Sequence, residues 1–568
     1  MYNVLLLGNS FFLPDRNIWM QNGLLELEES VKLQKSRNEG VARNVILFVG
    51  DGMGPNTLTA SRVYKRQYRE NTKHNSRWED LYKHKKERNL IFEDFPSMGM
   101  LKTYAVDKQV PDSACTATAL FCGAKTNYET VGVDESVLLG DCDTSLNQTT
   151  HLSSIMKWAL DAGKDTGFVT NMRVTHATPS PLYAHCPDRR WECDGKMPSA
   201  ARDKCKDIAR QLIEDEPGRN IKVIMGGGRQ CLQTNLNASE YDPLDGWACR
   251  RKDGLDLISM WKRDKESRNL PYHLLSNADE LRAFNRELNT SKYLLGIFAN
   301  SHLPYEYLRD DSETPSLAEM VITAINAMSQ NPRGFLLVVE GGLIDIAHHR
   351  GTARKALDET LAMEEAVISV VEKLSLSSSS TSTPHSHTAS GFMPNMSSET
   401  LLIVTSDHTH TMSINGYPKR DDDILGIASA SKINGREYTT LSYANGVGFK
   451  YNCSEGKALW EDPKEAKTTS FEYKQQATVL QDEETHGGGD VTIYATGPMA
   501  HLFHRVHEQS YVAHVIAYAS HIGPYSDGIS ARIPLSDATS SSSGCCLTKF
   551  SAYSMPITLV LTWITINL

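Results

Sequence analysis

The chain lacks a C-x-x-C pair, although it carries 11 cysteines, so a zinc ribbon or a thioredoxin-type redox motif is unsupported. It has no long basic run, and 59 Lys and Arg against 69 Asp and Glu leave a net charge of -10; a nucleic-acid backbone is therefore excluded as an expected partner. It has no internal repeat. What it does have is 568 residues, 40% of them hydrophobic and 23% charged, enough to bury a large core and incompatible with disorder or a small disulfide scaffold. An acidic chain that handles anions needs local positive charge, and bound metals can supply it.

The termini and sequons bear on compartment. Five N-x-Ser/Thr sequons start at Asn147, Asn237, Asn289, Asn395 and Asn452, as in a secreted chain. Small residues Ser541, Ser542, Ser543 and Gly544, a polar spacer and an apolar tail over 555–568 match a glycosylphosphatidylinositol signal; the tail is shorter than the roughly 20 residues of a spanning helix. The apolar run at 4–13 is broken and lacks a basic flank and a cleavage site, so a signal peptide is not demonstrated.

Short apolar runs rich in β-branched residues at 44–49, 166–170, 221–225, 335–339, 401–405 and 491–495 predict buried strands. Helical periodicity at 112–124, 153–162, 199–213, 317–328 and 352–374 falls between them, which implies crossover connections and an α/β fold with a mainly parallel central sheet flanked by helices. A Ser-, Thr- and Pro-rich stretch at 375–398 predicts a solvated loop, in which His385 and His387 carry no chemistry. The Gly- and charge-rich stretch from 416 to about 482 breaks the βα rhythm and predicts an insertion of short strands.

Chemistry-bearing residues cluster where predicted strands end. Asp51 follows the run ending at Val49; Glu340 follows Val339, with Asp345 and His349 beyond; Asp407 and His408 follow Thr405. In open α/β sheets ligands gather past the carboxyl ends of strands, so these groups are placed to converge in one crevice. Asp345 and His349, four apart, share a helix face and can chelate one divalent ion. Asp407 and His408 can serve a second, and His486 lies beside glycines that admit close backbone approach. Mixed His and Asp donors suit zinc, whereas Asp51, Thr178 and Glu340 offer only oxygens and suit magnesium. Asp112-Ser113 opens a predicted helix. It reads first as an N-cap, but next to metals Ser113 becomes a candidate nucleophile, and Arg189 could clamp a tetrahedral anion.

Gly50-Asp51-Gly52-Met53-Gly54, Pro111-Asp112-Ser113-Ala114, the run from Arg173 to Pro179, Glu340-Gly341-Gly342 with Asp345 and His349, Asp407-His408-Thr409-His410 and Glu484-Thr485-His486 resemble the animal alkaline phosphatases, in that family's order, from about residue 17 to 525. The resemblance implies hydrolysis of small phosphate monoesters, with Ser113 phosphorylated during turnover, Arg189 holding the phosphate and Asp112 among the catalytic residues. It implies two zinc ions, one on Asp345, His349 and His486 and one on Asp51, Asp407 and His408. It also implies one magnesium on Asp51, Thr178 and Glu340, with His176 in its outer shell.

The same resemblance implies a homodimer, an arm helix near 17–31, a crown insertion with Tyr417 reaching the neighbouring site, and a lipid-anchored protein on the outer plasma membrane. The corresponding organisation is a leader and arm over 1–40, a catalytic unit over 41–415 and 481–530, the crown over 416–480, and a spacer with anchor signal over 531–568. Cys142 and Cys205 match a family disulfide; Cys186 with Cys193 and Cys231 with Cys249 are local pairings suggested by spacing. A fourth, calcium-like site is doubtful, because Glu240 and Phe298 match while Ala299 and Thr314 replace carboxylates. Cys115 stands in place of a usual glycine and Ile346 in place of a common histidine, so altered rate or pH response is expected. The competing readings are a phosphodiesterase of the same superfamily and an inactive anchored binding protein; a sulfatase would need a C-x-P-x-R motif, which is absent.

Overall fold

A computed structural model describes residues 37–69, 89–236, 238–286, 292–378, 398–454 and 457–526. The arm at 17–31, the sequons at Asn237, Asn289 and Asn395, His385, His387 and the anchor tail lie outside these residues. Asn147 is exposed.

Ten strands form the central sheet: β1 (Asn44–Gly50), β2 (Ser97–Lys102), β3 (Asp165–Arg173), β4 (Val223–Gly227), β5 (Tyr272–Leu275), β6 (Tyr293–Ile297), β7 (Phe335–Gly341), β8 (Thr400–Ser406), β9 (Val491–Thr496) and β10 (Arg505–Glu508). Their spatial order is β10-β2-β9-β8-β1-β7-β3-β4-β6-β5. All neighbours are parallel except β9, which runs antiparallel to both β2 and β8. The mainly parallel α/β expectation therefore holds. All six predicted strands form, each within a few residues of its expected bounds.

The middle strands are apolar on both faces, as a sheet covered on both sides requires. Along β1, Ile46 and Phe48 face one core with Leu337 and Val339, while Val45, Leu47 and Val49 face the other with Leu336 and Val338. The first core is closed by helices α3 (Leu317–Met328) and α5 (Ala353–Ser378), through Met320, Val321, Leu357 and Leu361; the second is closed in part by α2 (Ser113–Cys122), through Ala114, Ala117 and Phe121. Helices α1 (Pro55–Tyr64) and α4 (Leu343–His349) follow β1 and β7.

Two helical expectations are corrected. The 199–213 stretch breaks into Ser199–Arg202 and Ile208–Glu214, because Cys205 is drawn into a disulfide and Asp207 starts a new helix by accepting from the Arg210 amide at 2.8 Å. Helix α5 runs four residues into the Ser-rich stretch, to Ser378. The 416–482 stretch carries short strands, among them Ile427–Ala430, Leu441–Gly446 and Ala477–Leu480.

The Cys142–Cys205 bridge forms as expected. The two spacing-based pairings do not: Cys193 bonds Cys249, and Cys186 and Cys231 are buried free thiols. Cys186 is held in a bridge opposite Val131 with its thiol turned to the Asp188 carbonyl, so nearness in sequence to Cys193 does not align the two side chains. Among the described residues no helix is long and apolar enough to cross a membrane.

Candidate active site

The register of four parallel strands builds the crevice. Val49, Thr170, Glu340 and Thr405 pair across β1, β3, β7 and β8 in one row, so the residues just past that row emerge side by side. Asp51 follows β1, Asp407 follows β8, and Glu340 stands in the row itself. Asp51, Asp407, Glu340 and Asp345 are all buried.

Ser113 is the first residue of α2. Asp112 caps that helix in an extended conformation, accepting from the amides of Ala114 at 3.0 Å and Cys115 at 3.4 Å. Its carboxylate also accepts from the Glu129 amide at 2.8 Å and from Arg189 Nη1 at 3.0 Å. Burial pushes the Asp112 carboxyl up, but Arg189 and these amides outweigh it and hold the group below the ordinary carboxylate value. Ser113 Oγ lies 3.1 Å from His408 Nε2 and 3.3 Å from Asp51 Oδ1. The hydroxyl thus sits at a helix N-terminus, where an anion is favoured, with a guanidinium beside it.

Among the described residues three groups of candidate metal donors include or adjoin the Asp51 and His408 side chains that meet this hydroxyl: Asp345, His349, His410 and His486; Asp51, Asp407 and His408; and Asp51, Glu340 and His176, each with donor atoms within 4.8 Å of one another. Thr178 Oγ1 lies 3.3 Å from Asp51 Oδ2. Every residue expected at the site is therefore brought to one crevice. His176, expected at one remove from the oxygen donors, has a ring nitrogen among them.

The donors fit cations on physical grounds. His349 and His486 each turn Nδ1 toward a backbone carbonyl, of Glu484 and Pro111 respectively, which leaves their Nε2 lone pairs facing at 3.0 Å. Such a pair repels unless a positive charge stands between them. Burial, and then the charges of Asp407, Asp345 and Glu340, drive the Asp51 carboxyl well above its ordinary value. Burial also raises Asp407, and it pushes Glu340 up to about 7. Glu340 Oε1 and His408 Nδ1 are buried and have no hydrogen-bond partner among the described residues. A divalent ion relieves carboxylates held in this way.

His410 belongs to the quoted motif, but its role depends on a contact that spacing does not reveal. An antiparallel bridge sets His410 opposite His486. Its Nε2 lies 2.7 Å from Asp345 Oδ1 and its Nδ1 faces the Glu484 carboxylate. Burial disfavours the imidazolium, yet the Glu484 and Asp345 charges push His410 up to about 10. Gly52, at φ +68°, lets the chain pass beneath that ring, where a Cβ would come within 2.5 Å of it.

The departures find physical places. Cys115 is buried, with its thiol donating to the Asp112 carbonyl at 3.2 Å, and Ile346 packs against the core. At the doubtful fourth site Glu240 is exposed and Ala299 and Thr314 bring no carboxylate. Arg229, paired with Asp242 at 2.8 Å, donates to the Ile297 carbonyl at 2.7 Å, so a cationic side chain already occupies the neighbourhood of Phe298.

The family model described as alkaline phosphatase matches residues 42–395 and 385–522. The tissue-nonspecific alkaline phosphatase of Rattus norvegicus is 41% identical over 514 residues, 90% of this chain and 89% of the relative. The membrane-bound alkaline phosphatase of Bombyx mori is 38% identical over 507 residues, 88% of this chain and 85% of the relative. Among solved structures, the alkaline phosphatase of Thermus thermophilus superposes with a TM-score of 0.54 at 21% identity, over 85% of this chain and 93% of its own. That of the Antarctic bacterium TAB5 gives 0.53 at 20% identity, over 84% and 98%.

Proposed function

The chain belongs to the alkaline phosphatase family and is a metal-binding phosphatase, and from that premise we propose that it hydrolyses phosphate monoesters through a phosphoserine at Ser113. One observation carries the reading: Ser113 Oγ stands within 3.3 Å of both His408 Nε2 and Asp51 Oδ1 at the start of a helix, with Arg189 held beside it by Asp112.

In this reading Ser113 gives up its proton and attacks phosphorus in line with the alkoxide, whose ester bond breaks, and water later enters from the side the alkoxide vacated, opposite Ser113, and breaks the phosphoserine bond to release inorganic phosphate. Arg189 and the first amides of α2 hold the non-bridging oxygens. Asp112 fixes the helix start and the guanidinium together. Asp345, His349 and His486 would hold one zinc, Asp51, Asp407 and His408 a second, and Asp51, Thr178 and Glu340 one magnesium, with His176 adjacent. When bound, such ions act as Lewis acids for the charges that develop on the attacking and leaving oxygens.

The wider reading is a glycosylated homodimer held on the outer face of the plasma membrane by a lipid anchor. Tyr417 is fully exposed and Ile433 nearly so, as surfaces awaiting a second subunit would be; one relative is named as membrane-bound. The test is acid trapping with a labelled phosphate monoester followed by peptide mapping. Label on Ser113, lost in Ser113→Ala together with turnover, is expected. Full turnover by Ser113→Ala refutes the scheme. Metal analysis gives the zinc and magnesium content, sedimentation the subunit number, and release by a phosphatidylinositol-specific phospholipase tests the anchor.

A further inference from the structure

A second arginine–histidine pair stands behind the first. Arg173, at the end of β3, is buried and held by Glu192: Nε lies 2.9 Å from Oε2, and Nη2 lies 2.7 Å from Oε1. Its remaining nitrogen, Nη1, donates to His302 Nε2 at 2.7 Å. His302 follows β6, and its loop is tied to β3 by the Leu303 amide donating to the Asn171 carbonyl at 2.9 Å. The His302 ring meets the His176 ring edge to face, with centroids 5.3 Å apart and planes at 84°. His176 in turn offers Nε2 to Arg189 Nη2 at 3.4 Å.

Each imidazole thus accepts from one arginine, which fixes both rings as neutral tautomers carrying the proton on Nδ1. Both Nδ1 atoms are buried and have no hydrogen-bond partner among the described residues. Among the described residues no protein group hydrogen-bonds His176 Nδ1, so what the protein itself contributes to the ring angle beyond Arg189 is packing. The ring that packs against it is His302, which Arg173 and Glu192 hold in turn.

We propose that His302 is a positioning residue for the phosphate clamp: its ring fixes the angle of His176, and His176 Nε2 keeps the second arm of Arg189 in register with the anion. This rests on the reading of Arg189 as the phosphate-holding residue. The chain of contacts runs from Glu192 through Arg173, His302 and His176 to Arg189, and only the last touches substrate.

The experiment measures competitive inhibition by inorganic phosphate, with kcat and KM, in the full-length metal-loaded protein. His302→Ala removes the ring, while His302→Gln removes it but leaves an acceptor for Arg173, so that the loop stays in place if the alanine variant misfolds. Both variants are expected to weaken phosphate binding and raise KM by roughly tenfold, the scale of support around a site, with kcat less affected. In a His176→Ala background the same changes should have no further effect, because His302 acts through that ring.

Unchanged phosphate inhibition in His302→Gln overturns the proposal, as does an undiminished effect in the His176→Ala background. Arg189→Ala separates the two levels of argument. If it too leaves phosphate binding unchanged, the clamp reading itself falls; if it weakens phosphate while the His302 variants do not, only the positioning role falls.

Discussion

Removing the Glu192 carboxylate should cost more stability than its place outside the donor clusters suggests. Arg173 and Glu192 are side chains 8% and 7% exposed, joined by three contacts of 2.7 to 3.1 Å. At about 3 Å and an effective dielectric near 20, Coulomb attraction is about 5 kcal/mol before desolvation is counted. Glu192→Ala leaves a buried guanidinium whose remaining carboxylate, Asp245, stands 3.9 Å away, and it strips Thr175 of an acceptor at 2.7 Å. Breaking one side of such a buried pair costs about 3–5 kcal/mol; the residual Asp245 contact places this case near 3–4.

At about 2.1 cal/mol/K per residue over the roughly 440 described residues, the unfolding entropy is about 0.9 kcal/mol/K, so Tm should fall by about 3–4 °C. The replacement Arg173→Met with Glu192→Met removes both charges and should recover most of the loss, since an apolar pair of similar volume often matches a buried ion pair. Calorimetry of the three proteins decides. A fall below 1 °C in Glu192→Ala, or a double variant no more stable than the single, refutes the reasoning. Burial works against the Glu192 carboxylate, but Arg173 and Thr175 hold its pKa below the ordinary value. The contribution is therefore present above the unfolded glutamate pKa and is lost as pH falls through the lower folded one.

Chelation of the metals between pH 6 and 7 should take up protons, because Asp51, Asp407 and Glu340 are pushed upward, Glu340 to about 7, once no cation offsets them; titration calorimetry in buffers of different ionisation enthalpy reads the uptake, and zero uptake contradicts it. Burial first, and then the stacked His151, push His185 down to about 4, so the unfolded chain binds a proton between pH 4 and 6.5 that the folded protein does not. Stability should rise with pH across that window, by at most about 3 kcal/mol, and His185→Phe should flatten the slope in urea melts. The Cys142–Cys205 bridge spans 63 residues, for which loop-closure entropy gives about 4 kcal/mol. A double serine variant losing under 1 kcal/mol would show that the unfolded chain gains little freedom there.

How legible each feature was follows from what creates it. Strands β1, β7 and β8 announce themselves because both faces are covered and their central runs, 45–49, 335–339 and 401–404, are apolar throughout. Strand β2, Ser-Met-Gly-Met-Leu-Lys, has no β-branched residue, and β10 is a polar edge of four; both exist through pairing with distant partners. Asp51, Glu340 and Asp407 were readable because each stands at or just past the end of such a run. That they converge depends on parallel register, which local pattern implies only through the fold class. His410 and Glu484 were not readable as a pair, because a two-residue bridge between remote segments joins them. Spacing misled for the cysteines because a bridge needs aligned side chains, which separation along the chain does not measure.

Electrostatics closes the argument for cations independently of any relative. On the proposed scheme a phosphate monoester enters a protein of net charge -10 and reaches a hydroxyl near Asp51, Asp407, Glu340 and Asp345. Against these four carboxylates the crevice sets Arg189, whose charge Asp112 already shares, and the half-charge of one helix N-terminus. The His410 charge is committed between Asp345 and Glu484. Protonating the carboxylates would admit the anion, but it would tie up the candidate cation donors around Ser113 and leave the His349 and His486 lone pairs opposed. Divalent ions satisfy all three requirements together: they pair the acids, separate the imidazoles and reverse the sign of the field at Ser113. The fold holds these groups in register whether or not they are charged, so the crevice is the place where binding free energy for cations is stored.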